Sequence, residues 1–277
     1  MKYFLIIFLA IGMVSCSKEA KLTPSEPEDL KLLPQGNNSY DDSIMAVYNK
    51  YATYILYRFT QADYGYNQID RKLDSAFDSN PAYISPVLRF LHENIFEVFP
   101  EDFLKKTMPY KILLASYIGG KNTRSTVNFA STYASLTIGW ADSTFLQQTT
   151  PEQIRALRVN LVRFYMERAL RAGAIKIPEG MMAYGPQFPT VWGNVTSVAQ
   201  KNQYGVIEPV GTTFLNAASD FLGYVQAIST RTKTDIENSY FRPNVDTKGA
   251  YRAKYDIVVN YFQNEFGLDL QAIGNSF

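Results

Sequence analysis

The chain has 277 residues, with 27 basic and 26 acidic side chains, so its formal net charge is +1 at neutral pH. That balance excludes the basic surface that nucleic-acid binding requires, and it leaves no polybasic patch for anionic lipid. The chain contains one cysteine and one histidine, which excludes an internal disulfide and a zinc site built from two histidines of one copy.

The first fifteen residues have the three parts of a secretion signal. A positively charged start is followed by an apolar stretch over residues 3–14 and by a small residue before the cut. The stretch is too short to span a bilayer. Met13-Val14-Ser15-Cys16 resembles a bacterial lipobox, which implies that Cys16 is lipidated and becomes the first residue of the mature chain. We therefore predict a lipoprotein signal peptide over residues 1–15; the alternative is an ordinary signal with an incidental thiol.

A flexible, lipidated tether over residues 16–40 is predicted next, because Pro24, Pro27 and Pro34 interrupt a polar stretch. The globular domain is predicted over residues 41–277. Its predicted elements in chain order are a strand over Tyr48–Phe59 (with a helical opening over Ser43–Tyr48 as the alternative), a helix over Pro86–Phe99, buried strands over Lys111–Ile118 and Ala134–Ile138, and helices over Gln153–Arg171, Thr213–Ser229 and Lys248–Phe266. This order predicts an α+β domain.

The helix over Gln153–Arg171 has the clearest signals. Thr150 is its predicted N-cap, Pro151 stands at its first position and Gly173 closes it. Five arginines are expected on its solvated face: Arg155, Arg158, Arg163, Arg168 and Arg171. Residues 174–212 are predicted to be irregular, because they contain four prolines and several glycines.

Motifs for catalysis are incomplete. His92-Glu93 begins like the zincin helix signature, but Phe96 stands where the second histidine ligand belongs, so His92 is expected to be an ordinary residue on a helix flank. The sequence has no nucleophile elbow and no glycine-rich phosphate loop. Trp192 lies in the irregular region and is a candidate platform for stacking against a sugar.

The chain from Tyr48 to Phe277 resembles the substrate import-associated zinc metallohydrolase lipoproteins of Bacteroidetes, a family of zinc-binding metallopeptidase-like proteins. The matching segments occur in the family's order: Tyr48–Phe59, Phe103–Gly120, Thr190–Asn194, Gly205–Pro209, Ala218–Tyr224 and Tyr261–Ile273. The resemblance implies a zincin-like α+β fold. It also implies an outer-membrane lipoprotein, on the periplasmic or cell-surface face, that serves starch-utilisation-type import through a TonB-dependent transporter and a substrate-capturing lipoprotein.

The family's zinc motif, H-E-x-x-H, is lost. The matching residues are Arg163-Phe164-Tyr165-Met166-Glu167, so both histidine ligands and the general base are replaced. Gly223 stands where the family has an acidic residue. Arg163 is expected to pair with Glu167 one turn further along the helix. The resemblance combined with this loss implies a pseudoenzyme without zinc or another cofactor.

We therefore predict a non-catalytic import lipoprotein that binds glycan, peptide or another component of the complex, and no nucleic acid. Trp192, Tyr184 and Tyr165 are the candidate residues of its ligand groove. One alternative is an active hydrolase or metallopeptidase with a non-standard site. The other is a purely structural subunit of the import complex.

Overall fold

The computed structural model describes residues 33–65, 74–120, 123–187, 190–209 and 214–276. The predicted signal peptide, Cys16 and most of the predicted tether lie outside these residues, as does Thr213. Within the described ranges, no helix combines the length and the apolar character needed to cross a membrane.

The described residues contain six strands: β1 (Tyr54–Leu56), β2 (Ser75–Asp78), β3 (Lys111–Gly120), β4 (Thr123–Arg124), β5 (Phe129–Ser131) and β6 (Ser135–Ile138). The first half of β3 pairs in parallel with β1 and β6, and its second half pairs antiparallel with β2 and β4. β5 pairs antiparallel with β6, which gives the order β1-β3-β6-β5. The long β3 is therefore the centre of the sheet.

The described residues form eleven α-helices: α1 (Ser39–Tyr51), α2 (Gln61–Gly65), α3 (Ile84–Leu91), α4 (Glu101–Thr107), α5 (Pro151–Arg171), α6 (Glu179–Met182), α7 (Val198–Tyr204), α8 (Ala217–Thr230), α9 (Lys233–Tyr240), α10 (Ala250–Phe266) and α11 (Leu270–Asn275). A π-helical turn, His92–Phe96, continues α3. The architecture confirms the predicted α+β class, with a small sheet and many helices.

The two faces of the sheet have cores of different size. Ile112 and Leu114 of β3 point into the large core that the sheet shares with the helices, whereas Leu113 and Ala115 point into a smaller cluster on the opposite face. This alternation follows from the two-residue period of a strand, and burial on both faces explains why this segment reads as a continuous apolar run. The predicted buried strand is confirmed, and it continues to Gly120.

The predicted strand over Tyr48–Phe59 is mostly wrong. The alternative helical opening is confirmed, because α1 runs through to Tyr51 and only Tyr54–Leu56 is extended. The tyrosine-rich composition indicated a strand, but tertiary contacts override this propensity. Asp41 in the first turn accepts hydrogen bonds from the Asn38 backbone at 2.9 Å and from the Tyr57 hydroxyl at 2.9 Å, which ties the helix to the chain after β1.

Helix α5 matches its prediction closely, but not all of its five arginines lie on a solvated face, since the side chain of Arg163 is only 11% exposed. Thr150 and Gln153 form a reciprocal capping box and Pro151 is the first helical residue. Arg168 is buried, however, and donates to the carbonyl oxygens of Thr107 at 2.6 Å and Met108 at 2.9 Å. Arginine was assigned to solvent by type alone, whereas backbone carbonyls at the end of α4 accept its hydrogen bonds.

The domain starts earlier than residue 41. Gln35 Oε1 accepts a hydrogen bond from Tyr57 N at 2.9 Å, and Gln35 Nε2 donates to Arg58 O at 2.7 Å. Leu33 packs against the core. The last residues of the predicted tether thus belong to the folded unit, which begins at Leu33.

The region predicted to be irregular contains short helical pieces. These are α6, α7 and a 3₁₀ turn at Trp192–Asn194. They are too short to produce a helical period, although Ser197 and Gln200 form a capping box for α7.

Candidate functional site

Helices α5 and α8 pack against each other, and a surface groove, which we call the cleft, follows their junction. The C-terminal half of α5 lies opposite the first turns of α8, and its N-terminal half lies opposite the end of α8, so the two helices run in opposite directions. The segment Val206–Pro209 follows the cleft, with Ile207 and Glu208 at one cavity and Pro209 at another. The cleft therefore contains two cavities side by side.

We name the two cavities by one residue each. The Arg163 cavity, of about 270 Å³, is lined by Arg163, Glu167, Leu170, Arg171, Pro209, Phe214, Asn216, Ala218, Ser219 and Leu222. The Gly223 cavity, of about 340 Å³, is lined by Glu152, Arg155, Ala156, Val159, Asn160, Ile207, Glu208, Gly223, Gln226, Ala227, Thr230, Arg231 and Tyr240.

Arg163 and Glu167 lie one turn apart on α5 and face the same cavity. Glu167 Oε1 accepts hydrogen bonds from Arg171 Nε at 3.2 Å and Nη2 at 3.0 Å. Its Oε2 lies 3.8 Å from Arg163 Nη2, close enough for an ion pair but too far for a hydrogen bond. Burial lowers the pKa of Arg163 and the charge of Glu167 opposes that shift, so the guanidinium stays charged at neutral pH. The predicted ion pair is confirmed.

Phe164, which matches the family's general base, belongs to the core side of α5. Its ring stacks on Phe129 of β5 with the ring centroids 6.1 Å apart, and the Arg163 guanidinium lies 4.6 Å from its centroid. An apolar contact between helix and sheet thus stands where the resemblance places a catalytic carboxylate. The aromatic ring also stabilises the Arg163 guanidinium by a cation–π contact.

Gly223 allows the backbone of α8 to pack closely against the backbone of the segment Val206–Pro209. A Cβ at this position would lie 1.8 Å from the carbonyl oxygen of Ile207, so only glycine lets the segment Val206–Pro209 pack this closely on α8. Gly223 lines its own cavity, and the described lining of the Arg163 cavity does not include it. The positions that the resemblance assigns to the metal site are therefore divided between two cavities.

A zinc ion, which the resemblance implies for the family, does not fit these residues. A guanidinium has no lone pair to donate, and phenylalanine and glycine offer no ligand atom. Glu167 is the one carboxylate of the set, and Arg171 already holds it. In the part of the chain that the structure describes, no three His, Cys, Asp or Glu side chains are grouped to hold a metal ion. The matching positions cannot supply the ligands of a zinc site.

The three aromatic residues of the predicted ligand groove are not brought together in one cavity. Tyr165 is fully buried and shares a hydrogen bond of 2.5 Å with Thr107 Oγ1, so its assignment to a groove is wrong. Trp192 is half-buried and packs against Gly185, while Tyr184 is exposed. The predicted groove rests on aromatic residue type alone, whereas the 3.6-residue period of α5 turns Tyr165 towards the core.

His92 is an exposed residue at the start of the π-helical turn. Its Nδ1 lies 3.1 Å from Glu97 Oε1, and the side chains of both residues are 59% exposed. This position agrees with its interpretation as an ordinary residue on a helix flank.

A buried ion pair, which sequence reasoning missed, fixes one wall of the cleft. Lys254 Nζ donates to Asp220 Oδ2 at 2.7 Å, Tyr204 O at 2.7 Å and Gly205 O at 3.2 Å. Asp220 Oδ1 accepts from Ile207 N at 3.2 Å. The pair ties the chain after α7 to both α8 and α10, and it thereby places the segment that borders both cavities.

Both charges of this pair are out of contact with solvent, with side chains 0% and 3% exposed. Burial raises the pKa of Asp220 to about 6 although Lys254 opposes the shift, and burial lowers the pKa of Lys254. Asp220 is the one charged residue of helix α8, and this is the signal in the sequence that could have marked it. Lys254 carries no signal, because a lysine on an amphipathic helix normally faces water.

No protein-family model matches the sequence, and no curated protein matches it significantly. Among solved structures, the crystal structure at 2.10 Å resolution of a candidate zinc-binding metallo-peptidase from Bacteroides caccae matches with a TM-score of 0.53. The match covers 86% of this chain and 92% of that chain at 13% sequence identity. Similarity at this level shows the fold and leaves the chemistry open. The chain therefore has a metallopeptidase-like α+β fold.

Proposed function

We propose that this protein is a non-catalytic lipoprotein of the outer membrane with a metallopeptidase-like fold. It has lost zinc, and it binds a ligand in the cleft between α5 and α8 for a nutrient-import system. The observation that supports the proposal is the ion pair of Arg163 with Glu167, at the two positions that the resemblance assigns to metal ligands. A fixed positive charge, Arg163, stands at the first of these positions, and Phe164 stands at the position that the resemblance assigns to the general base.

The setting of the proposal comes from the family resemblance and from the lipobox. Lipidated Cys16 would hold the domain at the outer membrane, on its periplasmic or cell-surface face. The partners would be a TonB-dependent transporter of the starch-utilisation type and its substrate-capturing lipoprotein. The ligand would be a glycan or a peptide, because the two cavities combine charged side chains with apolar walls.

The metal content of the purified protein tests the loss of zinc. We expect far less than one zinc per chain, measured by mass spectrometry after purification without chelators, because the matching positions lack ligand atoms. Zinc close to one per chain would refute the proposal and would favour a hydrolase with a non-standard site.

A further inference from the structure

Arg163 is a buried cation whose hydrogen-bonding capacity is unused. Its side chain is 11% exposed, and among the described residues it makes no hydrogen bond. Its Nε is completely buried without an acceptor in the described part of the chain. Buried polar groups in folded proteins are almost always hydrogen-bonded. Within the described ranges, Glu167 Oε2 also lacks a hydrogen-bond partner and lies 3.8 Å from Arg163 Nη2, too far for a hydrogen bond, so the guanidinium keeps donors for a further acceptor.

Arg168 provides an internal comparison on the same helix. It is also buried, yet it donates to three backbone carbonyls, those of Thr107, Met108 and Tyr133, at 2.6 to 3.2 Å. The guanidinium of Arg168 thus has its hydrogen-bond acceptors within the fold. Arg163 differs because it lies between the Phe164 ring and a cavity, with the Glu167 carboxylate 3.8 Å away, beyond hydrogen-bond distance.

The charges of the Arg163 cavity do not cancel. Two arginines face one glutamate, and Glu167 directs its well-formed hydrogen bonds to Arg171. The opposite wall is the first turn of α8, where Asn216 and Ser219 stand at the positive end of the helix dipole. Among the described lining residues, the arginines thus outnumber the glutamate by one, and Arg163 is the arginine that makes no hydrogen bond to Glu167.

The size and walls of the cavity limit what can enter it. A volume of about 270 Å³ is small for a ligand pocket and suits one sugar or one amino-acid residue. Pro209, Leu222 and Phe214, which is 81% exposed, supply apolar surface around the charges. The occupant is thus a small unit with one anionic group.

We propose that the Arg163 cavity binds the carboxylate of its ligand, with the Arg163 guanidinium as the main partner. A carboxylate matches the two-pronged geometry of a guanidinium, which makes the pair stronger and more specific than a contact with a point charge. This inference rests on the proposed function and names the chemistry that the cleft recognises. A peptide C-terminus and a uronic acid share that chemistry.

Calorimetric titration of the full-length protein with four probes tests the inference. Trialanine is compared with its C-terminal amide, and glucuronate with glucose, so the two sources of the carboxylate are separated. We expect at least one acid to bind about tenfold or more tightly than its neutral partner. Arg163→Met should abolish this difference, while Arg89→Ala, an exposed arginine on α3, should preserve it within about twofold.

A second variant keeps the inference testable if Arg163→Met does not fold, as judged by circular dichroism. Arg163→Lys retains the positive charge but not the two parallel N–H donors of a guanidinium. It should weaken binding of the acidic probe several-fold and leave binding of the neutral probe unchanged.

Equal binding of acid and neutral probes would overturn the carboxylate inference and leave ligand binding in the cleft intact. A preference that survives in both Arg163 variants would overturn it as well. No binding of any probe at about 10 mM would overturn both this inference and the ligand-binding part of the proposed function.

Discussion

At the residue scale, the pair of Asp220 and Lys254 shows that a buried ion pair is best understood by what it positions. Removing two charges from water costs several kcal/mol, which their attraction recovers only when further hydrogen bonds satisfy both groups. Here the Lys254 ammonium uses three acceptors, two of them carbonyl oxygens of Tyr204 and Gly205. The result is a fixed segment at the rim of the cleft rather than a large gain in stability.

Replacing Asp220 should remove one component of the pH dependence of stability. Its pKa is about 6 in the folded protein against an ordinary value of 3.8, so the folded state binds this proton more tightly than the unfolded chain. The contribution of Asp220 to the free energy of unfolding therefore falls as pH rises from about 4 to 6, by up to about 3 kcal/mol. When stability is measured by urea unfolding at several pH values, Asp220→Asn should not show this decrease in the free energy of unfolding.

Glu208→Gln is the matched control, because Glu208 is an exposed carboxylate that pairs with Lys201 at 2.6 Å. This variant should keep the pH profile of the wild type. Parallel profiles for the wild type and Asp220→Asn would show that the carboxyl of Asp220 does not titrate in this interval.

At the scale of single elements, local sequence signals determine some helices and strands, whereas tertiary contacts determine others. The start of α5 follows from Thr150, Pro151 and the capping box, and its end follows from Gly173, which adopts a positive φ. These signals act within one turn and are visible in the sequence. The π-helical turn after α3 and the short strand β1 have no comparable local signal. They depend on neighbouring elements, as when β1 pairs with the first half of β3.

Helix α8 depends on a glycine at the point where another segment crosses it. Gly223→Ala should lower the free energy of unfolding by about 2 kcal/mol, because the added methyl group would overlap the Ile207 carbonyl and displace the segment. Urea unfolding followed by circular dichroism measures the loss. Gly193→Ala is the control, since a Cβ there meets no atom within 4 Å. Equal losses in the two variants would argue against the close packing.

At the scale of the whole molecule, a metallopeptidase-like fold carries a cleft without zinc ligands. The large core joins the sheet to the long helices, so the scaffold does not depend on a metal at the positions of Arg163 and Glu167. Packing, rather than coordination at these two positions, holds the described fold together. Under the proposed function, the cleft would serve as a binding site without zinc chemistry.

The proposed anchoring of the whole protein depends on Cys16. Acyl chains gain about 0.8 kcal/mol per buried methylene group, so loss of the lipidated cysteine should release the protein from the membrane. Fractionation of cells that produce Cys16→Ser should show a shift from the membrane fraction to the soluble fraction, or retention as an unprocessed precursor. Ser17→Ala should fractionate like the wild type. An unchanged distribution and unchanged processing of Cys16→Ser would refute lipidation.

The sequence by itself determined the α+β class, the position of β3, the limits of α5 and the end of α10 at Gly267, because these features depend on period, capping and turn residues within a few positions. It also determined that the zinc motif is absent. Tertiary structure alone decided that Arg168 is buried and hydrogen-bonded, while Arg163 is only 11% exposed and makes no hydrogen bond to the described residues. It alone brought Asp220 to Lys254, since contacts between residues 34 positions apart depend on packing that no local pattern encodes.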